Sequence, residues 1–529
     1  MQKSTAASGK YLNIGNEGFR SIRNSEYVDK TGLIRFMNKC LDTPQKLICV
    51  SRPRRFGKSF ATKMLCAYYS QGCDSKELFE DLQIAKDPAF AKNLNQYEVL
   101  YLDITLFLST LKQDDMLVER MEQEIINDLG KVYPEVGKEQ HLVDALCAFH
   151  ERTEEKMILI IDEWDAMFRE CKGQTHILDA YILLLRSLFK SSLTDQLFSG
   201  VYMTGILPIK KYGHESAVSD FYEYTMVDPC PLQEYIGFTE TEVEMLCKKY
   251  QKDYALMQQW YDGYFVGGIH VYNPKSVMES ILRNKFSSYW TKTETYEALR
   301  DYIDMNFEGL KDDVLSMIAG NTVPVNIGNF SNDMSTFHFE DDVLTLLIHL
   351  GYVSYDYDSK TVKIPNEEVR AEYVNSVSAS EWGEVSKSLK NSADTLEAIW
   401  QKRPKQVAEA ISQAHFETSH IQYNDENALS YTISLALYAA RNFYTFHREL
   451  SGGKGFADLV FIPRKRFMDK PALVVELKWD KDAAGAITQI REKEYCRSLE
   501  EYHGKLLLVG INYDKKTKEH SCKIEEYRK

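Results

Sequence analysis

Four short apolar runs punctuate the first 230 residues: 47–50, 99–104, 157–161 and 200–205, each flanked by polar, helix-patterned text. Unbroken apolar runs of this length predict strands buried on both faces. Strands alternating with helical segments, such as 178–189, predict a parallel sheet covered on both sides. From about 235 to 306 the pattern turns helical and aromatic, with breaks at Tyr261-Asp262-Gly263-Tyr264 and Tyr272-Asn273-Pro274. Residues 339–366 read as a helix, Gly351-Tyr352-Val353, and two short strands around a polar turn at Asp358-Ser359, a winged-helix-like order. A Ser- and charge-rich helical stretch follows from about 376 to 414. The last part predicts a helix at 425–441, strands near 444–450, 456–462 and 472–477, a helix at 484–499 and a strand at 506–510, an αβββαβ order. There is no repeat and no low-complexity tract. The expected architecture is α/β at 1–230, a helical and winged-helix-like region at 231–380, a helical connector at 381–420 and a second small domain at 421–529.

Length and composition narrow the class without identifying a chemistry. At 529 residues the chain exceeds one ordinary core and suggests about three domains. A hydrophobic content of 44% with 27% charged residues is that of a globular protein. The net charge of −14 means that a nucleic-acid partner would have to meet a local basic patch. Ten cysteines are scattered without a Cys-x-x-Cys pair, and Cys49 and Cys66 sit inside apolar runs. A reduced, cytoplasmic setting is therefore expected rather than a disulfide framework, and the histidines give no zinc spacing. The polar start, Met1-Gln2-Lys3-Ser4-Thr5, lacks the apolar core of a signal peptide, and no run is long enough to span a bilayer.

The first candidate chemistry lies just after the first apolar run, at Ser51-Arg52-Pro53-Arg54-Arg55-Phe56-Gly57-Lys58-Ser59. A strand, a loop ending in Gly57-Lys58-Ser59 and a helix form a phosphate cradle: loop amides point at the anion, the lysine meets the outer phosphates and the hydroxyl can hold Mg²⁺. The usual first glycine is here Arg52. Arg54 and Arg55 lie within the loop and are candidates for phosphate contact. The third run ends in Asp162-Glu163, and ligands of open parallel sheets bind at the carboxyl ends of strands. Asp162 would share Mg²⁺ with Ser59, and Glu163 would accept a proton from the attacking water. Thr204, ending the fourth strand, could meet the γ-phosphate or simply begin a turn. Asp162-Glu163 would also suit the mere end of a buried strand; the loop upstream tips the reading toward ATP and Mg²⁺.

The second candidate set is Asp458, in Gly455-Phe456-Ala457-Asp458, with Glu476 and Lys478 in Val474-Val475-Glu476-Leu477-Lys478. Residues two apart on a strand share a face, so Glu476 and Lys478 project together, and a hairpin would bring Asp458 beside them. Two carboxylates can hold Mg²⁺ while a lysine orients water, which is equipment for phosphodiester hydrolysis. Gln489 on the next helix could hold the lysine or the water. Glu426 and Glu449 are further acidic candidates.

At these residues the chain resembles AAA-ATPase-like proteins fused to a C-terminal PD-(D/E)XK nuclease domain, common in anaerobic gut bacteria. The resemblance runs through Tyr27-Val28-Asp29-Lys30-Thr31, the loop at 52–59, Thr204-Gly205-Ile206, Tyr261-Asp262-Gly263-Tyr264, Tyr272-Asn273-Pro274, Asp458, Glu476-Leu477-Lys478 and Gln489-Ile490. It implies a P-loop NTPase sheet and a nuclease fold, with ATP and Mg²⁺ as cofactors and nucleic acid as partner, DNA ahead of RNA. It also leaves room for a homo-oligomer whose sites are completed by a neighbour's arginine, for which Arg186 is the residue to examine first. In one departure, Phe456-Ala457 follows Gly455 where Gly-Arg is frequent, with Lys454 just upstream. Three readings share the nucleotide site: an ATP-dependent nuclease, an ATP-gated binding switch whose second domain does not cleave, and an ATPase with a structural tail.

Overall fold

Each of the four apolar runs becomes a strand. The computed structural model describes residues 9–190, 192–209, 220–290, 296–303, 305, 307, 309–330, 337, 339–379, 383–417, 432–452, 455–492 and 505–527. Strands β1 (Leu47–Ser51), β2 (Glu98–Asp103), β3 (Met157–Asp162), β4 (Phe198–Gly205) and β5 (Tyr222–Tyr224) form one sheet in the order β2-β3-β4-β1-β5. Every pair in it is parallel. Strands β1, β3 and β4 are buried along their whole length, as unbroken apolar runs require. One face, with Cys49, Leu100, Leu159 and Val201, packs with Met121 and Ile125 of α2 (Leu117–Val132) and Tyr181 and Leu185 of α3 (Thr175–Phe189). On the other face, α1 (Lys58–Tyr69) sends the Thr62 hydroxyl to Asp162 at 3.3 Å. This is a P-loop NTPase sheet. Its register lines up Val50, Thr204, Asp162 and Asp103 across the carboxyl ends of four strands. Strand β5 was not evident in the sequence, being three residues long, partly exposed and at the sheet edge.

The two aromatic breaks downstream are junctions between elements. Strands β6 (Phe238–Thr239), β7 (Tyr264–Val266) and β8 (Ile269–Tyr272) form a small antiparallel sheet in the order β6-β8-β7. Tyr261-Asp262-Gly263-Tyr264 turns α5 (Tyr254–Tyr261) into β7, after α4 (Glu240–Lys249), which Thr239 and Glu242 close with a capping box. Tyr272-Asn273-Pro274 turns β8 into α6 (Pro274–Arg283). Asn273 Oδ1 accepts from the Lys275 and Ser276 amides at 2.9 and 3.3 Å, and Pro274 needs no partner at the first helical position. Phe238, Val243, Met257, Tyr261, Tyr272 and Val277 fill the core beneath. Strand β9 (Val323–Pro324) precedes α7 (Glu340–Leu350), and the hairpin β10 (Ser354–Asp356) and β11 (Thr361–Lys363) follows it. These strands lie in the order β10-β11-β9, which is the expected helix-and-hairpin arrangement.

The chain divides into two compact units, Met1–Thr293 with Val323–Val369, and Glu294–Thr322 with Arg370–Lys529. In the second, β12 (Tyr444–Gly452), β13 (Gly455–Pro463), β14 (Ala472–Trp479), β15 (Leu506–Asp514) and β16 (Glu519–Tyr527) pair in sequence order. Only β14 and β15 are parallel, and α10 (Ala483–Glu492) lies in the connection between them. This mixed sheet fits a PD-(D/E)XK-like domain. Leu459, Leu473, Val475 and Val509 pack with Leu396 and Ile399 of α8 (Gly383–Trp400) and Val407 and Ile411 of α9 (Pro404–Glu417). The helical stretch read as a connector thus supplies part of this unit's core. The opposite face, with Val460, Val474 and Leu508, packs on Ile487 and Ile490 of α10. Strand β16 escaped the sequence pattern because it is an edge strand of mostly polar residues. Of the helix expected at 425–441, residues 425–431 lie outside the described residues, 432–436 are helical and Tyr438–Asn442 is a 3-10 turn. The helix expected at 484–499 is described as far as Glu492. Every described cysteine is free, with Cys49 and Cys66 buried. Among the described residues no helix is long and apolar enough to cross a membrane.

Candidate active sites

The loop between β1 and α1 turns through two left-handed residues, Arg55 at φ 67° and Gly57 at φ 99°. Gly57 is the N-cap of α1, so Lys58 and Ser59 open the helix. The Lys58 side chain is buried. Its Nζ donates to the carbonyls of Arg52 and Pro53 at 3.0 and 3.2 Å and pairs with Glu163 Oε1 at 3.2 Å. Arg54 and Arg55 carry exposed side chains on the loop. Arg52 does not share that role: it is only 1% exposed and is turned toward the end of β5. Its Nη1 donates to the carbonyls of Ser51, Tyr224 and Thr225 at 2.9, 3.1 and 2.8 Å. Burial lowers its pKa to about 10, so it stays charged.

Asp162 ends β3 and is 2% exposed. Its Oδ2 accepts from Thr62 Oγ1 at 3.3 Å and Tyr101 OH at 3.4 Å, while Oδ1 is buried without a hydrogen-bond partner among the described residues. Burial, and then the charge of Glu163, push its carboxyl up to about 6, against the pull of the Ser59 hydroxyl and Lys58. Thr204 is its register partner on β4, and the Thr204 Oγ1 is likewise buried with no such partner. Two orphaned oxygens beside a buried ammonium suit a cation and a phosphate better than a closed core.

Glu163 follows in a left-handed conformation, φ 54°. Arg169 Nη2 donates to its Oε2 at 2.6 Å, opposite the Lys58 contact on Oε1. Burial alone would raise the Glu163 carboxyl, but Lys58, Arg169 and Arg54 more than offset it and hold it below the usual range. Arg169 also reaches Asp165 at 3.2 Å, whose Oδ2 accepts from the amides of Ile206 and Leu207 at 3.1 and 2.9 Å. The sequence reading missed Arg169; its spacing from Asp165, i to i+4 on a short helix, was the available signal. Arg186 stands in the last turn of α3.

In the second unit, β13 pairs with β14 as far as Leu459 opposite Val475, next to Asp458 on one strand and Glu476 on the other. Asp458 Oδ2 accepts from the Leu477 amide at 2.7 Å. Glu476 and Lys478 are 1% and 7% exposed, and Lys478 Nζ meets Glu476 Oε1 at 2.8 Å. Gln489 Nε2, on α10, donates to the same oxygen, so Gln489 is brought to the glutamate rather than to the lysine. Asn512, in register with Lys478, fixes the turn after β14 by accepting from the Lys481 amide at 3.0 Å. Glu426 and Lys454 lie outside the described residues, as does the side chain of Glu449 on β12. Among the described residues no three His, Cys, Asp or Glu side chains form a metal cluster by themselves. Paired carboxylate oxygens that leave the remaining positions to water and substrate phosphate are a donor set fit for Mg²⁺.

Comparison with known proteins agrees with both sheets. Residues 13–214 match the AAA-ATPase-like family model, described as a predicted AAA-ATPase, and residues 426–522 match a PD-(D/E)XK nuclease superfamily model. An uncharacterized protein in the vnfD 5′ region of Azotobacter chroococcum mcd 1 is 25% identical over 309 residues. That match covers 56% of this chain and spans only 56% of the relative's length. Among solved structures, the ORC2 protein of Aeropyrum pernix, in ADPNP and ADP complexes, aligns at 13% identity with a TM-score of 0.30, over 68% of this chain and 98% of that one.

Proposed function

With a predicted AAA-ATPase domain and a PD-(D/E)XK nuclease superfamily domain in one chain, we propose that the protein binds and hydrolyses ATP and couples it to metal-dependent cleavage of nucleic acid, DNA before RNA. The observation that carries this reading is that each sheet presents a lysine–carboxylate ion pair, Lys58 with Glu163 just past the end of β3 and Lys478 with the buried Glu476 on β14. In the first unit Lys58 exchanges its carbonyl partners for phosphate oxygens. Arg54, Arg55 and the amides around Gly57 complete the cradle. Ser59 and Asp162 hold Mg²⁺, and Thr204 meets the γ-phosphate. Glu163, released by Lys58, takes the proton of the attacking water, while Arg169 keeps its carboxylate ionised. In the second unit Asp458 and Glu476 hold Mg²⁺, Lys478 orients the attacking water and Gln489 fixes the Glu476 carboxylate. Bound at these places, Mg²⁺ lends positive charge to the phosphate oxygens.

The test is phosphate release and cleavage of labelled single- and double-stranded DNA and RNA by the purified chain, with and without ATP and Mg²⁺. Lys58→Ala is expected to lose nucleotide binding. Glu163→Gln should keep it but turn over about 10²–10⁴-fold more slowly. Asp458→Ala and Glu476→Ala should abolish cleavage and spare ATP hydrolysis. Hydrolysis should fall as pH drops below about 6, where Asp162 takes up the proton that excludes a cation. Nucleic acid bound in an ATP-dependent way but left uncut on every substrate would replace the nuclease by a gated binding switch.

A further inference from the structure

The phosphate loop is gripped from outside its sheet by residues two to three hundred positions downstream. Trp290 Nε1 donates to the Arg54 carbonyl at 3.1 Å, and Asn273 Nδ2 reaches the same oxygen at 3.4 Å. Phe56 is buried edge-on against Tyr264, ring centroids 5.3 Å apart, and the Tyr264 hydroxyl donates to the Gly351 carbonyl at 2.7 Å. Gly351 sits at φ 86°, and a Cβ there would lie 2.8 Å from Pro53. The motifs at 261–264 and 272–274, otherwise unused by the chemistry, are thus parts of this grip. Trp290 is itself held. The amides of Tyr289 and Trp290 donate to Glu368 Oε1 at 2.5 and 2.8 Å, and the indole packs on Tyr352 at 5.2 Å. The chain enters the second unit after Thr293 and again after Val369. One hydrogen-bonded line, Arg54 to Trp290 to Glu368, therefore ends next to both exits.

We propose that Trp290 carries the occupancy of the phosphate loop to these two exits, and is the residue through which nucleotide controls the second unit. Arg54 precedes a left-handed residue, so turning the loop's peptides toward phosphate re-aims its carbonyl. A buried indole N–H is costly to leave without an acceptor and must follow. Its movement passes to the two backbone amides on Glu368. The inference rests on the nucleotide reading of the loop.

Hydrogen exchange on the full chain tests it, with a slowly hydrolysed ATP analogue and Mg²⁺ as the probe and a fluorescent ATP analogue reporting affinity. In the unmodified protein the analogue should change exchange at the Tyr289 and Trp290 amides several-fold. Trp290→Phe, which keeps an aromatic ring and removes the donor, should bind nucleotide within about fivefold of normal, the worth of one net hydrogen bond, and lose that response. If Trp290→Phe does not fold, Glu368→Leu, which removes the acceptor of both amides, is expected to lose it as well. An unchanged response in the variant, or nucleotide bound with no response in the unmodified chain, overturns the proposal and leaves the ATP site standing. Absence of nucleotide binding overturns both.

Discussion

Arg52 shows how one side chain can stand where a phosphate loop usually has glycine. Its backbone still serves the loop, since the Arg52 carbonyl receives Lys58, while its guanidinium ties the end of β1 to the end of β5. Removing it would strip three backbone carbonyls of their donor and leave a void. Arg52→Ala is therefore expected to lower stability by about 2–4 kcal/mol in urea unfolding. Arg52→Gly, although it restores the common residue, should lose as much and gain no affinity in a nucleotide titration; tighter binding would refute this role. Lys58 and Asp162 were legible in the sequence as candidates because one opens and the other ends an element whose apolar pattern is local, and Asp458 and Glu476 because each stands inside a strand with such a pattern. The places of Arg52, Arg169 and Trp290 were not, because their partners are set by the tertiary fold. Gln489 was legible as a participant but not as the partner of Glu476, since only the packing of α10 decides which oxygen it meets.

Among elements, α9 and β16 meet over two buried histidines. His415 and His520 lie with ring centroids 5.1 Å apart, His415 packs on Tyr513 at 4.7 Å, and His520 Nδ1 meets Ser412 Oγ at 3.1 Å. Burial pushes their pKa values down to about 4 and about 3, and His415 adds to the shift of His520. Above about pH 6.5 both are neutral folded or unfolded and add no pH dependence. As pH falls below that, the unfolded chain takes up protons that the folded pair refuses. Stability then declines, by up to ~1.4 kcal/mol per pH unit for each histidine, until the folded pair titrates in turn. His349 on α7, lowered to about 4 chiefly by burial, adds a third such group. Thermal unfolding should therefore drop between pH 7 and pH 5, and His520→Asn should flatten that slope; an equal slope would refute the role of the pair. Elements with strong apolar runs were readable, whereas β5 and β16 were not: an edge strand with one solvated face shows little of the apolar signal that marks an interior one.

For the whole molecule, the division of the chain matters more than its sequence order. The second unit takes in Glu294–Thr322, between two stretches of the first. Within it, Arg370 donates to the carbonyls of Met317 and Ile318 at 2.9 and 2.7 Å, at the end of the helix Leu310–Ala319. A chain cut after Val369 should expose that helix to limited proteolysis, while the full chain protects it; equal protection would show that the helix needs nothing downstream. The same division sets a schedule for biogenesis. Emerging from a ribosome, Glu294–Thr322 precedes Arg370–Lys529, so at 5–20 residues per second it waits on the order of ten to forty seconds for the rest of its unit. By then the parallel sheet of the first unit has all its strands, and the mixed sheet of the second unit closes only once β16 has cleared the exit tunnel.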